Sequence, residues 1–125
     1  MLKKLIQYRS YFEYDFESEA ILVADGDEHA EAYNLYAQVT KDTFADEKDK
    51  WAFDIALDCV RNMTDEDVEC IKKDGEIPNF HFGYGMHVRN KYVHPSKSHT
   101  YFEVDDISSS VEKFIYTVLT DKEIV

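Results

Sequence analysis

A chain of 125 residues with 44% hydrophobic and 14% aromatic content can bury one ordinary core, which excludes disorder despite a net charge of −12. That acidity repels nucleic acid, whose phosphates are bound by Lys and Arg, and it suits a basic partner; ordinary solubility is the plainer reading. No apolar run approaches the roughly 18–20 residues of a membrane span, and no long apolar stretch follows Lys3-Lys4 as a secretory signal requires, so a cytoplasmic protein is expected.

The first segment, from Leu2 to about Phe16, is dense in Tyr and Phe. Leu5, Tyr8, Phe12 and Phe16 fit helical spacing, although aromatics this crowded also suit an extended piece. Helix is the expectation, continuing from Glu17 to Ala24 and stopped by Asp25-Gly26-Asp27. Asp27 then caps a second helix, with Glu28 and Glu31 in its first turn and Ala30, Tyr33 and Ala37, beside Tyr36 and Val39, on its buried side. After a polar break from Thr40 to Asp46, Trp51-Ala52, Ile55-Ala56 and Cys59-Val60 recur every four residues. They form one apolar stripe, with Glu47, Asp54, Asp58 and Arg61 on the solvated side. Thr64-Asp65-Glu66-Asp67 resembles a capped start for a short helix anchored by Val68 and Ile71 and closed by Gly75. The last helix is capped by Asp105 or Asp106 and buries Ile107, Val111, Phe114, Ile115, Val118 and Leu119. The pattern is a single all-α domain, residues 1–125, of five to seven helices. Cys59 and Cys70 lack metal-type spacing and fall on apolar faces, so both are expected as reduced core residues.

One stretch stands apart. No Asp or Glu occurs from Ile77 to Phe102, while Arg89, Lys91 and Lys97 do. Phe80, Phe82, Tyr84, Met86 and Val88 alternate like a strand, yet Met86, Arg89, Asn90 and Val93 fit a helix. An extended approach over 79–83 followed by a helix from about Gly85 to Val93, ended by Pro95, reconciles them. His81, His87, His94 and His99 are spaced by six, seven and five residues, which matches no helical ligand pair, so no metal and no cofactor is expected. Arg89 and Asn90 read as buried hydrogen-bonding groups that fix neighbouring elements.

Two resemblances bear on function. Arg89-Asn90-Lys91-Tyr92-Val93-His94 resembles the R-x(4–6)-H motif of HEPN-type ribonucleases, which implies Arg89 stabilising phosphate charge, His94 in acid–base chemistry and Asn90 beside them. The wider segment F-H-F-G-Y-G-M-H-V-R-N-K-Y resembles the H-F-G-x-G-M-x-I-R-N-x-Y segment of small bacterial proteins. Some of those are immunity proteins of contact-dependent growth inhibition and related polymorphic toxin systems. That resemblance makes Gly83, Gly85, Met86, Arg89, Asn90 and Tyr92 a structural motif rather than a catalytic one. The His94-Pro95 pair departs from the pattern, where an aromatic or Leu is usual.

The immunity resemblance implies a non-catalytic protein that binds a cognate toxin C-terminal domain, commonly a basic nuclease, without touching nucleic acid itself. Candidate contacts are the acid-rich helix starts Asp25, Asp27, Glu28, Glu31, Asp46, Glu47 and Asp49, together with Asp54, Asp58, Asp65, Glu66 and Asp67. Tyr33, Tyr36 and Phe44 are candidate anchors. Each of these also fits an ordinary solvated or core position.

Overall fold

The computed structural model describes residues 8–23, 27–43, 46–66, 69, 85–97, 99 and 102–120. Asp25, Gly26, Phe44, Asp67, Val68, Cys70 to Gly75, the approach over 79–83, and His81 lie outside them. The chain is mostly helical but carries a small two-stranded sheet, which corrects the all-α expectation.

A turn of 3-10 helix, Arg9–Tyr11, leads into β1 (Phe12–Asp15), which pairs antiparallel with β2 (Ala20–Val23). Phe12 lies opposite Val23 and Asp15 opposite Ala20. Period two wins here over the helical spacing of the aromatics. Phe12, Tyr14 and Ile21 are buried while Glu13 and Leu22 face outward, so alternation across a pleat accounts for the pattern. The connection from Phe16 to Glu19 is a turn organised by the Asp15 carboxylate, which accepts from the Glu17 and Ser18 N–H groups at 3.4 and 3.0 Å. These donors, the Ser18 side chain included, hold the Asp15 carboxyl below its usual range.

Four α-helices complete the described residues: α1 (Asp27–Thr43), α2 (Glu47–Arg61), α3 (Gly85–Val88) and α4 (Val104–Thr120). On α1 the buried side is Ala32, Val39 and Thr40 with Leu35 and Tyr36 half-buried, while Ala30 and Tyr33 are exposed. Of the side expected from sequence, Val39 is buried and Tyr36 and Ala37 half-buried, so it holds in its second half, whereas Ala32 takes the place given to Tyr33. The break expected from Thr40 begins only after Thr43.

Asp46 caps α2, accepting from the Lys48 N–H at 2.9 Å, and Glu47 and Asp49 follow in the positive first turn. Every residue from Trp51 to Val60 is buried, Asp54 and Asp58 included. These two aspartates were expected on a solvated face. The hairpin covers that face instead, and its Tyr14 and Ile21 backbones, together with Tyr36, Lys50, Lys91 and Tyr92, partner them.

Against the opposite side of α2 packs α4, whose Ile107, Val111, Phe114, Ile115, Val118 and Leu119 are all buried, as their spacing predicts. Phe53 meets Phe114 edge to face at 5.8 Å. Each such side chain contributes roughly 1.5–3 kcal/mol of burial. The helix begins at Val104, so Asp105 and Asp106 occupy its first turn rather than its cap.

Helix α3 starts at Gly85 and continues as a π segment, Arg89–Val93, closed by the His94 N–H on the Arg89 carbonyl at 2.9 Å. Val88, Tyr92 and Val93 face the core. Asp65, Glu66 and Glu69 are helical, consistent with the start expected after Thr64. Cys59 is buried and reduced, as expected. Among the described residues no helix is long and apolar enough to cross a membrane.

Candidate functional site

Glu19 closes the hairpin turn with a φ of 56°, a left-handed conformation that costs a residue with a Cβ roughly 1–2 kcal/mol. Most turns put glycine or asparagine there. What holds the glutamate is its carboxylate, which receives the Lys97 N–H at 2.8 Å, the Ser96 hydroxyl at 3.0 Å and His99 Nδ1 at 2.8 Å. Burial pushes this carboxyl up, but the three donors outweigh it and hold it below the usual glutamate range. The arrangement stitches the hairpin to Ser96, Lys97 and His99 across almost 80 residues of sequence.

His99 continues the chain of contacts. Its ring stacks on Trp51 at 4.2 Å and 12°, and Phe102 lies beside it at 5.8 Å. With Nδ1 turned to Glu19, Nε2 faces Glu47 Oε1 at 3.6 Å. Trp51 in turn donates its indole N–H to the Tyr14 hydroxyl at 2.8 Å. The Tyr14 phenol is pushed up by burial, with the tryptophan hydrogen bond opposing the shift.

Between the hairpin turn and the first turns of α2 these groups enclose a cleft of about 330 Å³, lined by Ser18, Glu19, Ala20, Glu47, Lys50, Trp51, Asp54 and His99. Asp54 forms its floor. It is 1% exposed and accepts from the Tyr36 hydroxyl, and Lys50 Nζ approaches it at 3.5 Å. Burial raises the Asp54 carboxyl above its usual value, against the Tyr36 hydroxyl, the Lys50 ammonium and the Ile21 backbone. Tyr36 is pushed up by burial and by that same carboxylate.

One turn further along α2, Asp58 accepts from the Tyr14 N–H at 3.3 Å and from the Tyr92 hydroxyl, with Lys91 Nζ at 3.8 Å. The two buried aspartates thus take one backbone donor from each strand. Antiparallel strands leave alternate N–H groups pointing away from their partner, and α2 supplies acceptors where a third strand would.

The sequence-derived candidates separate into groups. Glu31, Asp46, Glu47, Asp65 and Glu66 are exposed, and Asp49 is half-exposed. Asp27 and Glu28 begin α1. Asp54 and Asp58 are internal rather than on the solvated face expected for them, Asp54 at the floor of the cleft. Tyr33 is exposed, while Tyr36 is half-buried against Asp54.

In the glycine–arginine–asparagine motif, Tyr92 is internal as expected. Met86 and Asn90 are exposed, which corrects the reading of Asn90 as a buried group, while Arg89 is half-buried and pairs with the exposed Asp105 at 3.3 Å. The motif's anchoring instead runs through Val88, Tyr92 and the Tyr92–Asp58 bond. His94 is exposed beside them, and no group of metal-holding side chains occurs among the described residues.

Glu19, Lys50 and Ser96 were not singled out from sequence, Trp51 only as a core residue, and His99 only among histidines whose spacing suits no metal. The alternation of Phe12, Tyr14 and Phe16 was the available signal for the hairpin that carries Glu19. Nothing local announces a partner 80 positions away. No protein-family model matches the chain, and neither the curated proteins nor the solved structures contain a significant match to it.

Proposed function

We propose that this chain is an immunity protein, acting in the cytoplasm of the cell it protects, that binds and neutralises a cognate contact-dependent inhibition toxin domain through its acidic surface. The target is a basic nuclease, whose phosphate-binding groups meet carboxylates in place of nucleic acid. One observation carries the reading. Among the described residues Glu13, Glu17, Glu31, Asp46, Glu47, Asp65, Glu66, Glu69, Glu103, Asp105 and Asp106 are exposed, whereas the exposed Lys and Arg are Lys50, Lys97 and Lys113. A field of one sign speeds capture of an opposite partner and rejects nucleic acid. The resemblance of the Phe80–Tyr92 segment supports the same reading.

A toxin gene immediately upstream is expected, and co-expression with the toxin domain it encodes tests the reading. The wild-type chain should restore growth, and the triple variant Asp46→Asn, Glu47→Gln, Asp49→Asn should protect poorly while folding normally, since Asn also caps helices. Wild-type chain that fails to protect, or a triple variant that protects equally, refutes the proposal.

The π segment favours a second reading, a HEPN-like ribonuclease. A π turn closes over five residues, which sets Arg89 and His94 one above the other, and such turns recur at functional sites. The Arg89–Asp105 pair is exposed on the aspartate side and easily given up. In that case His94→Ala abolishes RNA cleavage by the purified protein without changing its thermal unfolding.

A further inference from the structure

The cleft at the hairpin turn already contains a cation. Lys50 Nζ reaches in from α2, 3.5 Å from Asp54 Oδ2 and 5.9 Å from the centre of the Tyr36 ring, in ion-pair and cation–π range at once. Its side chain is nevertheless 46% exposed, and lysine on a flexible stem withdraws at little cost. Asp54 cannot withdraw, being bonded to Tyr36 inside the core. Glu47, 69% exposed, stands at the mouth opposite His99. The volume of about 330 Å³ exceeds what one ammonium fills.

We propose that this cleft is the seat for a guanidinium or ammonium side chain of the basic partner, which displaces Lys50 Nζ and pairs with Asp54 at the floor and Glu47 at the rim. An arginine suits it best, because its planar fork engages two carboxylates at once and lies flat on an aromatic wall. Lys50 is then an internal stand-in that keeps Asp54 paired until the partner arrives. A buried carboxylate left alone would otherwise cost stability. The identity of the partner as the toxin domain rests on the proposed function; the chemistry of the seat does not.

Trp51, the chain's single tryptophan, lines the cleft and reports on it. Tri-arginine amide is titrated against the purified protein while Trp51 fluorescence and its indole N–H resonance are followed, with the uncharged tri-citrulline amide as control. Saturable change with the arginine peptide alone is expected. Glu47→Gln should weaken it about tenfold, Asp54→Asn at least as much, and Lys50→Met should tighten it by removing the competitor. Equal response to citrulline, or wild-type affinity in Glu47→Gln, overturns the proposal, as does weaker binding in Lys50→Met. Glu47 is exposed, so its variant tests the seat without touching the core around Asp54. Co-expression separates the two ideas. Protection by wild type and undiminished protection by Glu47→Arg sinks the seat alone, whereas failure of wild type to protect sinks the antitoxin reading and leaves the titration to decide the cleft.

Discussion

Replacing Asp58 with alanine is the sharpest test of how this fold is held. The carboxylate serves the Tyr14 N–H and the Tyr92 hydroxyl, both buried, and Lys91, which is partly exposed. In the variant Lys91 turns to water at little cost. The two buried donors have no such route, and each orphaned donor costs about 1–3 kcal/mol. The expected loss is therefore about 3–5 kcal/mol, the range found when one partner of a buried charged network is removed. Against a total stability of about 5–15 kcal/mol this is a large fraction. Urea unfolding followed by Trp51 fluorescence measures it. Asp106→Ala, exposed in the first turn of α4, should by contrast fall within about 0.5 kcal/mol of wild type. The pair with Tyr92→Phe adds a check, because the double variant no longer leaves a hydroxyl unsatisfied and should lose less than the two singles summed. An Asp58→Ala loss below about 1 kcal/mol, or strict additivity with Tyr92→Phe, would refute the view that Asp58 joins the hairpin to the helical body.

Asp54→Asn should behave differently. Its folded carboxyl is raised, so the proton is held better in the folded chain than in the unfolded one, and ionisation above the usual aspartate value subtracts stability. The asparagine keeps an acceptor for Tyr36, so at pH 7 the variant should be at least as stable as wild type, with the difference shrinking toward pH 4 in urea titrations. Glu19 has the opposite sign. Its folded pKa is lowered, so its contribution is complete above the ordinary glutamate value of 4.5 and is lost as pH falls through the lower folded value; Glu19→Gln should flatten that acid limb. Glu19→Ala should also be less stable than Glu19→Gly by about 1 kcal/mol, since both lose the carboxylate and only alanine keeps the left-handed strain.

What could be read from the sequence was whatever depends on neighbours along one element. The four-residue recurrence through Trp51, Ile55 and Cys59 and the Ile107-to-Leu119 stripe placed two helices and their packing faces. Gly85 was placed correctly as a helix start. Asp54 and Asp58 were misplaced because periodicity assigns polar residues to water, and only a distant segment makes them internal. Their donors come from Tyr14 and Tyr92, 44 and 34 residues from Asp58. The hairpin was missed because its left-handed position carries Glu19 in place of the glycine or asparagine that marks such turns, while Gly26 drew attention to a later stop. The outward acids at Asp46, Glu47, Asp65 and Glu66 were legible since helix starts favour carboxylates. The cleft that Glu47 borders was not, because its walls come from three separate stretches of chain.

The π segment has a consequence for how this chain tolerates insertion and deletion. It accommodates one residue more than an α-helical turn would between Arg89 and Val93. Removing a single residue there is absorbed by a return to ordinary helical winding, whereas adding one would swing everything downstream by about 100° around the axis. Ser96, Lys97 and His99 would then arrive out of phase with Glu19, and the strained turn would lose all three groups that hold it. A one-residue insertion in this short segment should therefore be felt first in the hairpin, on the far side of the joint, before it disturbs the helix that received it.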